Sequence, residues 1–68
     1  MIRPYILAET NWKSVSSTEY DVAVLPWGAT EAHNYHLPYS TDVMECDAVA
    51  AESARRLWIA GARVIVLP

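Results

Sequence analysis

The sequence has little of several features that mark other protein classes. Its single cysteine, Cys46, has no partner within the chain, which excludes a disulfide scaffold. Its lysines and arginines number only five and form no run, so we expect no nucleic-acid partner and no anionic membrane surface. No apolar stretch approaches the roughly 18 residues of a membrane span, and the first residues do not match a secretory signal. We therefore expect a cytoplasmic protein.

Apolar residues are what the chain has in quantity. They make up 53% of its 68 residues, and the formal net charge is -3. So apolar a composition argues against intrinsic disorder. A chain of this size, however, buries only about 60% of its unfolded surface. No internal repeat or linker divides the sequence, so we expect one continuous folding unit.

Two short apolar runs predict buried strands. Residues 21–26 and 63–68 are rich in β-branched side chains, and each ends in proline. Apolar character on both faces is typical of parallel strands that are covered on both sides. Before the first run, a short helix over residues 11–15 is predicted, with Thr10 as its N-cap.

A longer helix is predicted between the strands, from about residue 41 to residue 60. Thr41 or Asp42 is expected to cap it, with Glu45 completing a capping box, and Gly61 is expected to end it. Glu52 is expected to pair with the two arginines one turn later. The predicted apolar face consists of Cys46, Val49, Ala50, Ser53, Leu57 and Ala60.

The order strand, helix, strand predicts a βαβ unit and an α/β fold. A parallel sheet needs cover on both faces, and one such unit with a single long helix does not provide it. We therefore expect residues 1–68 to be the incomplete N-terminal part of a single larger α/β domain.

The segment between the first strand and the helix is the expected place for chemistry, because ligands of open α/β sheets bind beyond the carboxyl ends of the strands. It holds both histidines of the chain. Glu31 and His33 are two residues apart, so extended backbone projects both side chains to one side. Asp42 arrives at the start of the helix. Imidazole and carboxylate groups suit divalent metals, but a two-metal centre needs roughly five ligands, so further ligands are expected from residues outside this chain.

Each of these residues also has a simpler interpretation. Asp42 can serve as a helix cap without any metal, Glu31 can be a solvated carboxylate, and a lone histidine such as His33 is more often structural. Gly28 follows a strand, as in nucleotide-binding loops, but no Gly-x-Gly-x-x-Gly pattern is present.

Residues 25–42 read Leu-Pro-Trp-Gly-Ala-Thr-Glu-Ala-His-Asn-Tyr-His-Leu-Pro-Tyr-Ser-Thr-Asp. This segment resembles the signature of the creatininase (creatinine amidohydrolase) family, in which Pro-x-Gly leads into Glu-x-His-x-x-His-Leu-Pro and then Thr-Asp. The likeness continues through the helix and the second strand. It implies an α/β/α layered sandwich with a mostly parallel sheet, of which this chain is the first βαβ unit, and assembly as a hexamer.

The resemblance also implies a binuclear centre of two divalent ions, zinc or manganese or both. Glu31 would bind one ion, His33 the other, and Asp42 would bridge them. His36 would contact the substrate or hydrogen-bond near the ligands rather than bind metal. The remaining ligands, a histidine and a glutamate, and the proton shuttle would come from a later segment.

The expected activity is that of a hydrolase acting on carbon–nitrogen bonds, in which a metal-activated hydroxide attacks a small cyclic or linear amide of the creatinine type. Ala32 stands where the family often has glutamine, and Asn34-Tyr35 replaces a frequent Gly-Pro. These departures leave open a formamide or peptide hydrolase of the same family. A non-catalytic metal-binding or assembly module with the same fold is the alternative from another class.

Overall fold

A computed structural model describes residues 3–68 of the chain. After a 3-10 turn over Leu7–Glu9 come helix α1 (Trp12–Ser16), strand β1 (Val22–Val24), helix α2 (Thr41–Ile59) and strand β2 (Val64–Val66). The strand–helix–strand order and the α/β class predicted from the sequence are confirmed. Within the described residues, no helix is long and apolar enough to cross a membrane.

The described residues form a two-stranded parallel sheet of β1 and β2, and an isolated bridge flanks β2 on its other side. Strand β1 pairs with β2 in the register Val22 to Val64 and Val24 to Val66. On the other side of β2, Ile6 forms a parallel bridge with Val66, whose N–H donates to the carbonyl of Tyr5 at 2.7 Å. Parallel pairing brings the carboxyl ends of β1 and β2 to the same edge of the sheet.

The core is small and is centred on β2. Among residues 3–68 the buried apolar side chains are Tyr5, Ala54, Val64, Ile65 and Val66. All of β2 is buried because it has chain on both sides, whereas β1 has an exposed Val22 and Ala23. The prediction of a buried strand is therefore right for β2 and wrong for β1, whose outer edge has no neighbour within the described residues.

Helix α2 packs on the sheet through its small side chains. Ala54 is buried against β2, and Ala50 and Trp58, one turn to either side, pack on the same cluster. The predicted apolar face is only partly correct, since Val49 and Leu57 are exposed. They line an open groove of about 670 Å³ against Val24, Pro26 and Trp27. The contact of α2 with the sheet runs along Ala50, Ala54 and Trp58, so it covers only part of the predicted apolar face.

The C-terminal end of α2 follows its sequence. Gly61 has a φ of +103°, its N–H donates to the carbonyl of Trp58, and the N–H of Ala62 donates to that of Leu57. This pair of bonds is the Schellman arrangement, in which the left-handed residue is usually glycine. The predicted stop at Gly61 is confirmed.

The N-terminal ends of both helices differ from the predictions. In α1, Asn11 rather than Thr10 is the cap, and its side chain accepts the N–H of Ser14 at 3.1 Å. In α2, the N-cap position belongs to Ser40, which makes no side-chain capping bond within the described residues. The hydroxyl of Thr41 donates instead to the carbonyl of Pro38, and the Asp42 carboxylate contacts His33, so the predicted capping box does not form.

Candidate metal centre

The loop between β1 and α2 folds back on itself, and this positions its charged residues. The N–H of Glu31 donates to the carbonyl of Tyr39 at 2.9 Å, and His33 and Leu37 form an antiparallel bridge. At the tip, Asn34 adopts a φ of +59°, and its side chain accepts the N–H of Tyr35. Asparagine tolerates this left-handed conformation better than most residues. The chain therefore turns back just after His33, which takes part in the bridge.

The structure brings Glu31, His33 and Asp42 together. Each offers one ligand atom, and the three atoms lie within 4.8 Å of one another. His33 Nε2 and Asp42 Oδ1 are 2.9 Å apart. The side chains of His33 and Asp42 are 23% and 35% exposed, so the group is open to solutes yet partly shielded from water.

Both ring nitrogens of His33 have a partner. Nδ1 lies 3.1 Å from the carbonyl oxygen of Glu31, which only accepts, so Nδ1 carries hydrogen and donates. Nε2 then faces the Asp42 carboxylate. The carbonyl of Glu31 and, next, the carboxylate of Asp42 raise the pKa of His33 above its usual 6.5 despite partial burial. In the neutral ring, Nε2 is the atom left to bind a metal.

The donor set fits a divalent cation. One imidazole nitrogen and two carboxylate oxygens are ligands that zinc and manganese both accept. Bonds of about 2.0–2.2 Å hold neighbouring donor atoms roughly 3–4 Å apart. A group within 4.8 Å is thus small side-chain rotations away from a binding arrangement.

His36 is not part of this group. It is exposed and lies near the loop tip, just before Leu37, which forms the bridge with His33. The three-membered ligand group does not include it. The expectation that His36 contacts the substrate or hydrogen-bonds near the ligands stays a prediction.

One residue next to the site, Gly28, carries only a weak nucleotide-binding signal in the sequence. Gly28 lies against the first turn of α2, where an added Cβ would be 2.7 Å from the backbone nitrogen of Val43. One turn further along α2, the thiol of Cys46 donates to the carbonyl of Trp27 at 3.6 Å. The sequence shows only that a glycine follows a strand. The reason for a glycine there is the contact with α2, which starts 13 residues later.

Comparison with known families adds an independent observation. The sequence over residues 8–68 matches the family model described as "Creatininase: Creatinine amidohydrolase". No curated protein sequence and no solved structure matches the chain significantly.

Proposed function

Because the chain belongs to the creatininase family, we propose that the protein is a metal-dependent amidohydrolase that cleaves the C–N bond of a small cyclic or linear amide of the creatinine type. The observation that carries this proposal is the convergence of Glu31, His33 and Asp42 within 4.8 Å. Glu31 and His33 lie in the loop that follows β1, and Asp42 lies in the first turn of α2. Both places are at the carboxyl edge of the sheet, where ligands of such folds bind.

The three residues have different proposed roles, which follow the family resemblance. His33 would bind one ion through Nε2, since Nδ1 is held by the carbonyl of Glu31, and the Glu31 carboxylate would bind a second ion. Asp42 would bridge the two, because a carboxylate offers two oxygens; one of them lies 2.9 Å from His33.

Bound divalent ions supply an activated water as nucleophile and polarise the amide carbonyl. What this chain contributes is the placement of the donors. The carbonyl of Glu31 orients the imidazole ring and holds its Nδ1 proton, so loss of one proton from the ring frees Nε2, the atom that binding requires. Partial shielding of His33 and Asp42 strengthens their attraction for a cation.

Metal analysis of the full-length protein tests this proposal. We expect about two divalent ions per chain, as a binuclear centre requires, when the protein is purified without chelators and measured by plasma mass spectrometry. Protein that folds but holds no stoichiometric divalent metal would overturn the proposal.

Hydrolysis assays test the substrate class. We expect hydrolysis of the amide C–N bond in creatinine, which opens its ring, or in a formamide or short peptide, which releases an amine. This activity should be lost in Asp42→Ala. Asp47→Ala is the matched control, since Asp47 is an exposed carboxylate on the same helix. Activity that survives in Asp42→Ala at the control's level contradicts the assigned role.

A further inference from the structure

We propose that Gly28 is a positioning residue for the candidate metal centre. The absence of a side chain at this position lets the loop lie directly on the first turn of α2, and this contact sets the distance between Asp42 and His33. The inference rests on the proposed function, because it concerns the residues expected to hold the metals.

Glycine is needed at position 28 because there is no room for a side chain. A Cβ built there would lie 2.7 Å from the nitrogen of Val43 and 2.8 Å from both the carbonyl carbon and the carbonyl oxygen of Asp42, whereas ordinary contact begins at 3.4 Å. All three are backbone atoms of a helix, so no side-chain rotation relieves the clash. Gly28 does not have the left-handed φ that Gly61 has, so conformational freedom is not the reason.

The clash would reach the ligand group directly. Two of the three crowded atoms belong to Asp42 itself, whose carboxylate contacts His33. Restoring ordinary contact would move the first turn of α2 by roughly 0.7 Å relative to the loop. Metal sites tolerate about 0.2 Å of error in ligand distances. The shift that a side chain at position 28 would cause is several times larger.

A second contact on the same face of α2 agrees with this role. Cys46 lies one turn after Asp42, and residues four apart lie one above the other on a helix. Its thiol donates to the carbonyl of Trp27, the residue before Gly28, at 3.6 Å. Trp27 and Gly28 therefore follow α2 over its first two turns, and both contacts hold the helix against the loop.

Zinc affinity of the full-length protein tests the proposal, measured by competition with a chromophoric chelator. Gly28→Ala is expected to bind Zn²⁺ roughly 10- to 100-fold more weakly, the usual cost of losing support behind metal ligands. Gly61→Ala is the matched control, because it strains the other end of α2, where an added Cβ meets open space. It should destabilise the protein but leave zinc affinity within about twofold. Equal affinities of Gly28→Ala and the unaltered protein, or equal losses in both variants, would overturn the proposal.

The visible spectrum of bound Co²⁺ provides a second measurement, and a change in stability alone does not alter it. The visible spectrum of Co²⁺-loaded Gly28→Ala should differ from that of the unaltered protein in band position or intensity, and that of Gly61→Ala should not. Identical spectra would count against the proposal. Absence of metal binding in the unaltered protein would instead refute the proposed function.

If Gly28→Ala does not fold, Cys46 gives the second test. Cys46→Ala removes the thiol donor without adding bulk and should weaken zinc binding roughly two- to fivefold. Cys46→Ser, which keeps a donor, should bind closer to the unaltered protein. Full affinity in Cys46→Ala would overturn the proposal in that case.

Discussion

His33 makes one contact through each ring nitrogen, and this determines how a metal would enter the group. Both neighbours are acceptors, the Glu31 carbonyl and the Asp42 carboxylate, so the imidazole is held most strongly when both nitrogens carry hydrogen. A cation that binds Nε2 takes the place of one proton. Proton and metal therefore compete for the same atom.

This competition predicts the pH dependence of metal binding. The pKa of His33 is raised above 6.5, so Nε2 is protonated below the raised value and free above it. Zinc affinity should be highest above that pKa and fall by about tenfold per pH unit below it. Titrations between about pH 5 and pH 8 measure the slope, and an affinity that is independent of pH would contradict the prediction.

Substitution of single ligands predicts unequal metal losses. Asp42→Ala should lose both ions, because Asp42 is proposed to bridge them, whereas His33→Ala should weaken mainly one. Plasma mass spectrometry of dialysed full-length protein measures the occupancy, with Asp47→Ala as the control that retains both. Unchanged occupancy in either ligand variant would remove that residue's assignment.

The two ends of helix α2 are determined by different contacts, one set local and the other distant along the chain. Its C-terminal end depends on Gly61 and the carbonyls just before it, all within five residues. Its N-terminal turn instead makes contacts with the loop, through Thr41 to Pro38 and Asp42 to His33. The first end could be predicted from neighbouring residues, and the second could not.

Replacing the glycine at the end of α2 should cost stability. Gly61→Ala places a Cβ on a residue with a φ of +103°, which costs about 1 kcal/mol of unfolding free energy. Urea unfolding of the full-length protein, followed by far-UV circular dichroism, measures the difference. An unchanged or higher stability would show that the backbone there adjusts without strain.

An acid-sensitive ion pair lies on the exposed side of α2. Arg55 and, next, Arg56 hydrogen-bond to Glu52 and lower its pKa from 4.5 to about 2. A lowered pKa means that the stabilisation is complete above pH 4.5 and is lost as pH falls toward 2. The contribution is small because these side chains are exposed.

Glu52→Gln should therefore be slightly less stable than the unaltered protein at neutral pH, and the difference should vanish near pH 2. Thermal unfolding at several pH values measures it. A difference that persists or grows in acid would contradict the assigned pairing.

At the scale of the whole molecule, residues 3–68 form an elongated body with a small core. The described part measures 45 × 23 × 21 Å and buries five apolar side chains. Large apolar side chains such as Trp27 and Val49 stay exposed along the groove between β1 and α2. This exposure supports the proposal that residues 1–68 are part of a larger α/β domain.

We expect the 68-residue chain by itself to lack a cooperative unfolding transition. Five buried side chains among residues 3–68 are too few to offset the conformational entropy of so many residues. Thermal unfolding by circular dichroism and the dispersion of amide NMR signals test this. A sharp sigmoidal transition with dispersed signals would contradict it.

The sequence by itself determined the order of elements and the stop of α2 at Gly61, and it singled out Glu31 and His33, whose ligand atoms lie near each other. These features depend on periodicity and on chemistry between near neighbours, which a linear reading captures. The family signature in residues 25–42 also singled out Asp42, although helix capping competed for the same carboxylate.

Only the tertiary structure decided the rest. It placed Ala54 rather than Leu57 in the core, turned Asp42 toward His33 rather than its own helix end, and required Gly28 to have no side chain. Each outcome depends on atoms that are distant along the chain but meet when helix, loop and sheet pack. Close packing restricts which side chains fit at such contacts. Local sequence patterns do not show which of these contacts form.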